Sequence, residues 1–259
     1  MEVVIAPGDE LARLAAEAIE TLLTGRPQAV LGLATGSSPL KVYDELARRH
    51  KDGLSFARAR AFMLDEYVGL PDDHPERYRN VIEKEIASRV DFAPGAVRGP
   101  DGNAADLARA CADYEEAIAA AGGVDLQLLG IGTDGHIAFN EPGSSLASRT
   151  RIKTLTRQTR QDNARFFGGS VDDVPRHCLT QGLATIMSAR HLVLLATGRA
   201  KAEAVHQLVE GPVSAMWPAT IMQLHPHATI LVDAAAASRL QLADYYRETY
   251  AAKPEWQTL

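Results

Sequence analysis

The chain has 259 residues, of which 46% are hydrophobic and 23% charged, and its formal net charge at pH 7 is -6. These values are ordinary for a globular protein with a well-buried core. A net negative charge gives no general attraction to nucleic acid or to an anionic membrane surface, so we expect neither as a partner. An anionic ligand would need a local group of cations.

The cysteines and the N-terminal sequence indicate the compartment. Cys111 and Cys178 lie far apart and match neither a metal-site spacing nor a disulfide framework, which is typical of a reducing compartment. The first ten residues lack the basic and apolar regions of a secretory signal. No segment approaches the ~18 consecutive apolar residues of a membrane span. We therefore expect a cytoplasmic protein.

Short apolar segments alternate along the chain with longer amphipathic ones. The short segments predict strands at or within 2–6, 29–35, 59–67, 124–132, 191–197 and 228–233. The longer segments predict helices at 9–25, 37–50, 77–90, 103–123, 199–211 and 234–250. This alternation predicts a three-layer α/β/α fold with a mostly parallel, Rossmann-like sheet. No linker or repeat divides the chain, so we expect one domain over residues 1–259.

Ligands of such folds bind beyond the carboxyl ends of the strands, and the first such end of interest follows the strand at 29–35. It carries small residues and hydroxyls, namely Thr35, Gly36, Ser37 and Ser38, before Pro39 at a helix start. Free amides at a helix N-terminus suit an anion such as phosphate. An ordinary capped helix is the alternative. The loop is not a Walker A loop, because the Gly-Lys-Ser/Thr ending is missing.

Two acids follow the next strand. Asp65 and Glu66 come directly after an apolar segment, where a carboxylate can serve as a general base. Neighbouring strand residues point to opposite faces, so at most one of the two should face a pocket. A helix cap or a structural ion pair is the alternative for either acid.

Residues 130–135 match the dinucleotide-binding pattern G-x-G-x-x-G. A dinucleotide fold needs a long amphipathic helix directly after this turn. Pro142 and Gly143 prevent such a helix, and a pyrophosphate has no use for the acids Asp134 and Glu141 beside it. We therefore reject a dinucleotide cofactor.

The same segment supplies titratable groups for proton transfer. Carboxylates such as Asp134 and Glu141 can fix the tautomer of His136 and support its protonated form. These three side chains could also bind a metal ion, but no second His or Cys cluster has the usual ligand spacing. Arg160 and Arg165 lie on one helical segment at 159–167. Lys201 lies just after another strand. These three cations together could enclose a phosphate, although each cation alone is usually solvated.

Several motifs together resemble those of the glucosamine-6-phosphate deaminases: LATGSSPLKVYDEL, FMLDEYVGLP, GIGTDGHIAFNEPGSSLASRTRIKTLT, TRQDNARFF and QLHPHATILVD. They occur in the family's order over nearly the whole chain. The resemblance implies a fold of the glucosamine-6-phosphate deaminase/ribose-5-phosphate isomerase type. It also implies conversion of glucosamine 6-phosphate and water to fructose 6-phosphate and ammonia, without a metal or an organic cofactor.

The resemblance also implies roles for particular residues. Asp65 would move the C2 proton, and His136 would open the sugar ring with help from Asp134 and Glu141. The loop at 35–38, Arg165 and Lys201 would bind the substrate phosphate.

A basic segment follows the catalytic motif. If residues 150–155 form a strand, Arg149, Arg151 and Lys153 alternate onto one face, which is either solvated or arranged around an anion. Resemblance to the hexameric, regulated members of the family implies a second site there for the activator N-acetylglucosamine 6-phosphate. Its residues would be Ser144, Arg151, Lys153, Thr154 and Tyr245. We accordingly expect a homo-oligomer, with a hexamer favoured.

Two other functions compete with the deaminase. A 6-phosphogluconolactonase has a related fold and a similar DGH segment, but that family usually has Asp-Glu-Arg at the acidic strand end. Here Tyr67 and the sequence Phe-Asn-Glu-Pro at 139–142 favour the deaminase. A sugar-phosphate sensor should carry a basic DNA-binding module, and a first strand predicted at residue 2 leaves no room for one before it.

Overall fold

A computed structural model describes residues 1–254, 256, 257 and 259. The strands are β1 (Glu2–Ile5), β2 (Val30–Leu33), β3 (Arg60–Met63), β4 (Asp65–Tyr67), β5 (Val97–Arg98), β6 (Leu126–Leu129), β7 (Arg151–Thr154), β8 (His177–Thr180), β9 (His191–Ala196) and β10 (Ala228–Val232). Seven of them form a parallel sheet in the order β1-β10-β9-β6-β2-β3-β5. The predicted α/β fold with a mostly parallel sheet is confirmed.

The helices between the strands cover this sheet. They are α1 (Gly8–Gly25), α2 (Leu40–Lys51), α3 (Tyr78–Glu85), α4 (Leu107–Ala120), α5 (Arg157–Asn163), α6 (Leu183–Met187), α7 (Ala202–Glu210) and α8 (Ala243–Ala251). In α1 the buried residues Leu11, Ala15 and Ile19 recur every four positions, which gives the helix one apolar stripe. Within the described residues, no helix combines the length and apolar character that crossing a bilayer requires.

The sequence-based boundaries agree closely for α1 and differ most in two other regions. The helix expected to begin at Asp9 begins one residue earlier, after Pro7, and Asp9 in its first turn pairs with Lys41. The predicted helix at 234–250 begins only at Ala243, because residues 234–238 form turns. The single strand expected within 59–67 is two strands, because the chain leaves the parallel sheet at Leu64.

A second, smaller sheet begins where the chain leaves the first. Strand β4 pairs antiparallel with β8, which pairs antiparallel with β7, so the order is β4-β8-β7. The expected strand at 150–155 is present as β7. Buried apolar side chains from Val3 to Leu240 form one cluster around the main sheet. A separate cluster that includes Tyr67, Phe139 and Phe167 packs beside the small sheet.

Candidate active site

The carboxyl ends of four parallel strands meet at one edge of the main sheet. Strands β2, β3, β6 and β9 are in parallel register, so the segments that follow them are neighbours. Those segments are the loop at 35–38, Asp65, the turn at 130–141 and the segment at 198–201. The fold therefore brings most of the residues expected from the sequence to this edge, whereas Arg165 lies on the segment after α5, with its guanidinium over the Phe166 ring.

Two of the three glycines of the G-x-G-x-x-G pattern make room for side-chain rings. A Cβ on Gly132 would lie 2.3 Å from the His136 ring. Gly135 has a φ of +80°, and a Cβ there would lie 2.6 Å from the Trp217 ring. A Cβ on Gly130 would lie at an ordinary contact distance, 3.4 Å, from Oγ of Ser38. Gly132 and Gly135 thus let two aromatic rings approach the backbone closely.

His136 lies between two carboxylates. Its Nδ1 is 2.7 Å from Oδ1 of Asp134 and 3.8 Å from Oε2 of Glu141. The shorter contact has the geometry of an ion pair rather than of an aligned hydrogen bond. Burial opposes ionisation of Asp134, but interactions with His136 outweigh it and lower the pKa of Asp134 to about 2. Asp134 is therefore ionised at neutral pH and places a negative charge beside the ring.

Among the described residues, hydrogen bonds reach only one carboxylate oxygen of Glu141. Its Oε1 accepts hydrogen bonds from the backbone N–H and the hydroxyl of Thr156, at 3.3 and 3.4 Å. Its Oε2 is buried and has no hydrogen-bond partner among the described residues. Ala138, in the turn between His136 and Glu141, has a φ of +50°, which a residue with a side chain seldom adopts. The turn is therefore strained and needs support from its surroundings.

Asp65 is buried, but the described residues donate no hydrogen bond to its carboxylate. Burial, and then the charge of Glu66, raise the pKa of Asp65 well above its ordinary value. Glu66 is engaged differently, because its carboxylate accepts the backbone N–H groups of Tyr67, Tyr78 and Arg79, each at 2.9 Å. Of the two neighbouring acids, Glu66 is therefore engaged by backbone N–H groups, whereas the Asp65 carboxylate is not.

Cations and small residues border the same edge. Gly36 has a φ of +90° and is exposed, as is Ser37. Lys201 is half-buried, and burial lowers its pKa, with a further decrease from Arg165 and an opposing effect of Asp162 and Asp134. These interactions place Lys201 near both Arg165 and the His136 group. Arg160 lies apart from them, because it donates to the backbone carbonyls of 171 and 174.

The three titratable side chains of the turn could also hold a metal ion. Ligand atoms of Asp134, His136 and Glu141 all lie within 4.8 Å of one another. One imidazole and two carboxylates suit several divalent ions, so the metal alternative has a definite location and can be tested there by chelation.

The five residues predicted to bind an activator are only partly brought together. Ser144 is buried, and its Oγ has no hydrogen-bond partner among the described residues. Arg151, Lys153 and Thr154 lie on β7, and Arg151 donates to Oδ1 of Asn140 at 3.0 Å. Tyr245 is exposed on α8, which packs against β1, and its ring contacts Tyr246. No hydrogen bond or ring contact within the described part of the chain connects Tyr245 to β7.

Known proteins resemble this chain over nearly its whole length. The family model described as glucosamine-6-phosphate isomerases/6-phosphogluconolactonase matches residues 6–231. A glucosamine-6-phosphate deaminase of Beutenbergia cavernae is 76% identical over 261 residues, with 100% of both chains covered. Another, of Mycolicibacterium smegmatis, is 73% identical, with 99% of both covered. The chain belongs to the glucosamine-6-phosphate deaminase family.

Solved structures agree with membership of the glucosamine-6-phosphate deaminase family. A deaminase described as monomeric has a TM-score of 0.90 and 44% identity, and the match covers 92% of this chain and 99% of that one. A 6-phosphogluconolactonase of Trypanosoma brucei is 22% identical with a TM-score of 0.76, over 92% of this chain and 98% of its own, and shares the fold only. The resemblance drawn from the motifs is confirmed, whereas the hexamer stays a prediction.

Sequence reasoning missed the aromatic side chains that support the site of this glucosamine-6-phosphate deaminase family member. The Tyr78 hydroxyl donates to that of Tyr67 at 3.3 Å. The Tyr78 ring stacks on Phe139 at 5.9 Å between centroids. Tyr78 thus contacts the strand of Asp65 and the His136 turn. Its position in an ordinary amphipathic helix gave no signal of this.

Proposed function

We propose that the protein converts D-glucosamine 6-phosphate and water to D-fructose 6-phosphate and ammonia. The observation that carries this proposal is the presence of two separate acid–base groups at one sheet edge, beside a loop and cations suited to phosphate. One group is His136 with its two carboxylates, and the other is the unpaired Asp65. The names and near full-length identity of the relatives support the same reaction.

The first step is ring opening. A cyclic sugar has no carbonyl group, so its C2 proton is not acidic. We propose that His136 takes the proton of the O1 hydroxyl and delivers a proton to the ring oxygen, while the bond between C1 and the ring oxygen breaks. The product is an open-chain aldehyde. Asp134 and Glu141 stabilise the imidazolium that forms during this exchange.

The second step moves a proton from C2 to C1. The raised pKa of Asp65 makes its carboxylate a stronger base near neutral pH than an exposed aspartate. Asp65 removes the C2 proton while the aldehyde oxygen O1 takes up a proton, which gives an enolamine with a hydroxyl on C1. Return of the C2 proton to C1, with loss of one N–H proton in exchange for the proton taken up by O1, gives an imine at C2. Water adds to that imine, the carbon–nitrogen bond breaks, and ammonia leaves as fructose 6-phosphate forms.

The phosphate anchors the substrate and takes no part in the bond changes. We propose that Thr35, Gly36, Ser37, Ser38, Arg165 and Lys201 bind it, so that its binding energy positions C1 and C2. An assay of ammonia release with glucosamine 6-phosphate tests the proposal, with glucosamine and 6-phosphogluconolactone as control substrates. Hydrolysis of the lactone without ammonia release would favour the lactonase instead. We expect no loss of activity after prolonged chelation, because no step needs a metal ion.

We further propose activation by N-acetylglucosamine 6-phosphate, bound by Ser144, Arg151, Lys153 and Thr154 in a homo-oligomer, favoured as a hexamer. The buried Ser144 hydroxyl, which has no hydrogen-bond partner in the part of the chain that the structure describes, and the cations Arg151 and Lys153 on β7 support a phosphate site. Tyr245 would have to reach it from elsewhere in the assembly. Allosteric coupling is typically worth ~1–3 kcal/mol.

Saturation curves with and without the activator, together with the mass in solution from light scattering, test this regulation. We expect the activator to lower the apparent KM, and Arg151→Ala with Lys153→Ala to abolish that response. A monomeric protein whose saturation curve is hyperbolic and does not change with the activator would contradict the regulation and leave the catalytic proposal intact.

Two unpaired, buried cysteines fit the proposed cytoplasmic location.

A further inference from the structure

The two acid–base groups of the site lie on different segments of the chain. Asp65 is on β4, and His136 and Glu141 are on the turn after β6. Both groups must reach adjacent carbons of one sugar, so their separation has to be held to a fraction of an ångström. Something other than chain connectivity must therefore fix the distance between them.

The dipeptide Thr180–Gln181, at the end of β8, binds the segment of the chain that carries Asp65. Thr180 pairs with Asp65 in the small sheet. The backbone N–H of Gln181 donates to the carbonyl of Leu64 at 2.7 Å, and its side-chain Nε2 donates to the carbonyl of Met63 at 2.9 Å. The end of β3 and the start of β4 are thus held by three interactions from two residues.

The same dipeptide binds the His136 turn. The Thr180 Oγ1 accepts a hydrogen bond from the backbone N–H of Phe139 at 3.1 Å. The backbone carbonyl of Gln181 accepts one from Nδ2 of Asn140 at 2.8 Å. Phe139 and Asn140 lie between His136 and Glu141, next to the strained Ala138.

Both residues are almost completely buried, with 0% of Thr180 and 1% of Gln181 exposed. We propose that Thr180 and Gln181 are positioning residues, which fix the distance between Asp65 and the His136–Glu141 pair without contacting the substrate. This inference rests on the proposed deaminase function. Loss of the Thr180 hydroxyl would leave the Phe139 N–H without its acceptor and release one side of the strained turn.

Kinetics of conservative variants test the positioning role. Thr180→Val removes the hydroxyl and keeps the shape, whereas Thr180→Ser keeps the hydroxyl. Gln181→Met removes the side-chain donor. Two equally buried residues outside the site supply matched controls. They are Thr229→Val, whose hydroxyl lies 2.9 Å from Nε2 of His191, and Gln127→Met, whose Nε2 donates to the carbonyl of Leu128.

We expect Thr180→Val and Gln181→Met to lower kcat by roughly 10–100-fold with a nearly unchanged KM, because a displacement of about 1 Å can cost that much. Thr180→Ser should retain kcat, and the two controls should lose melting temperature but not kcat. Exchange of the C2 proton in deuterated water should fall with kcat.

The role is overturned if kcat in Thr180→Val and Gln181→Met falls no more than in the controls, if KM rises as much as kcat falls, or if Thr180→Ser loses as much as Thr180→Val. If Thr180→Val does not fold, Gln181→Met against Gln127→Met decides alone. A wild-type protein that releases no ammonia contradicts the proposed function. An active wild type with unaffected variants contradicts only the positioning role.

Discussion

One buried aspartate lies where the parallel strands of the main sheet begin, at what we call the amino edge, and another lies at the carboxyl edge, beyond their ends. The two carboxylates differ in their hydrogen-bond partners. At the amino edge, Asp125 accepts hydrogen bonds from Arg26 at 2.7 Å, from Arg190 at 2.9 Å and from the backbone N–H of Val30 at 2.8 Å. At the carboxyl edge, the Asp65 carboxylate receives none from the described residues. A buried charge with partners holds elements together, whereas one without partners costs stability and is available for chemistry.

The histidines at the two edges show the same contrast. At the amino edge the rings of His191 and His227 stack at 3.6 Å between centroids. Burial, and then the neighbouring histidines, lower the pKa of His191 to about 3, so that it stays neutral. His136 at the carboxyl edge lies instead beside two carboxylates. The buried histidines of the amino edge thus have other histidines as neighbours, whereas the histidine at the carboxyl edge has acids, as the proposed proton shuttle requires.

The largest effect is expected for Asp65→Asn. The amide keeps the shape of the side chain but cannot take the C2 proton, so turnover should fall by roughly 10²–10⁴-fold. The raised pKa of Asp65 means that its ionised form lowers stability at neutral pH, so the variant should melt no lower than the wild type. Proton exchange at C2 in deuterated water measures the lost step, and wild-type exchange would refute the role of Asp65 as base.

Asp125→Asn is the matched control at the other edge. It should retain kcat and lose about 1–3 kcal/mol of unfolding free energy, because two guanidinium groups lose a charged acceptor. A loss of turnover without a loss of stability in this variant would remove the distinction between the edges.

The next largest effect is expected for His136→Gln. This variant should lose roughly 10²-fold or more in turnover of the ring form, because the shuttle between the O1 hydroxyl and the ring oxygen is missing. A substrate already in the open-chain form should recover part of that loss. Equal losses on ring and open-chain substrates would show that His136 acts at a later step.

A smaller effect is expected from the phosphate-binding cations. Lys201→Ala and Arg165→Ala should each weaken binding of glucosamine 6-phosphate by roughly 1.5–3 kcal/mol, the value of a hydrogen bond to a charged group. Arg157→Ala, a solvated arginine on α5, should leave KM unchanged. If the double variant at 201 and 165 kept the wild-type KM, the phosphate would bind elsewhere.

The smallest effect is expected in the pH dependence of the unfolding free energy, through His191 at the amino edge. Unfolded His191 takes a proton near its ordinary pKa of 6.5, whereas folded His191, facing His225, His227 and Lys253, takes it only near pH 3. The unfolding free energy should therefore fall as the pH drops from about 7 to 5. Melting curves over this range measure the effect. The dependence should be weaker in His191→Leu, and an equal slope in both proteins would exclude His191 as its source.

The sequence predicted the parallel sheet and the four strand ends because buried strands and helices differ in apolar periodicity, and because ligands of such folds bind at the carboxyl edge. It did not predict that β4 leaves the main sheet at Leu64. The apolar residues 61–64 are followed directly by Asp65, Glu66 and Tyr67 with no turn residue between them, and only pairing with the distant β8 separates the two strands. Tertiary pairing of this kind leaves no local signal in a single sequence.

The residues of the candidate site also divide into those that the sequence predicted and those that it did not. The sequence predicted Asp65, Asp134, His136 and Glu141 as site residues because acids and a histidine stand out beside apolar strands. Thr180 and Gln181 were missed because a buried threonine and a buried glutamine resemble the other polar residues of short strands. Their importance comes from hydrogen bonds to residues more than 40 positions away, which only the folded chain shows.

The absence of a side chain at Gly132, next to the His136 ring, has a consequence for how proteins with this fold can diverge. A Cβ at that position would lie 2.3 Å from the His136 ring, so the ring would have to move. Under the proposed roles, one added methyl group would displace the group that opens the sugar ring, whereas the residues proposed to bind the phosphate lie on other segments. A Gly132→Ala descendant would then be a receptor made from an enzyme by a single codon change, with its ligand preference inherited.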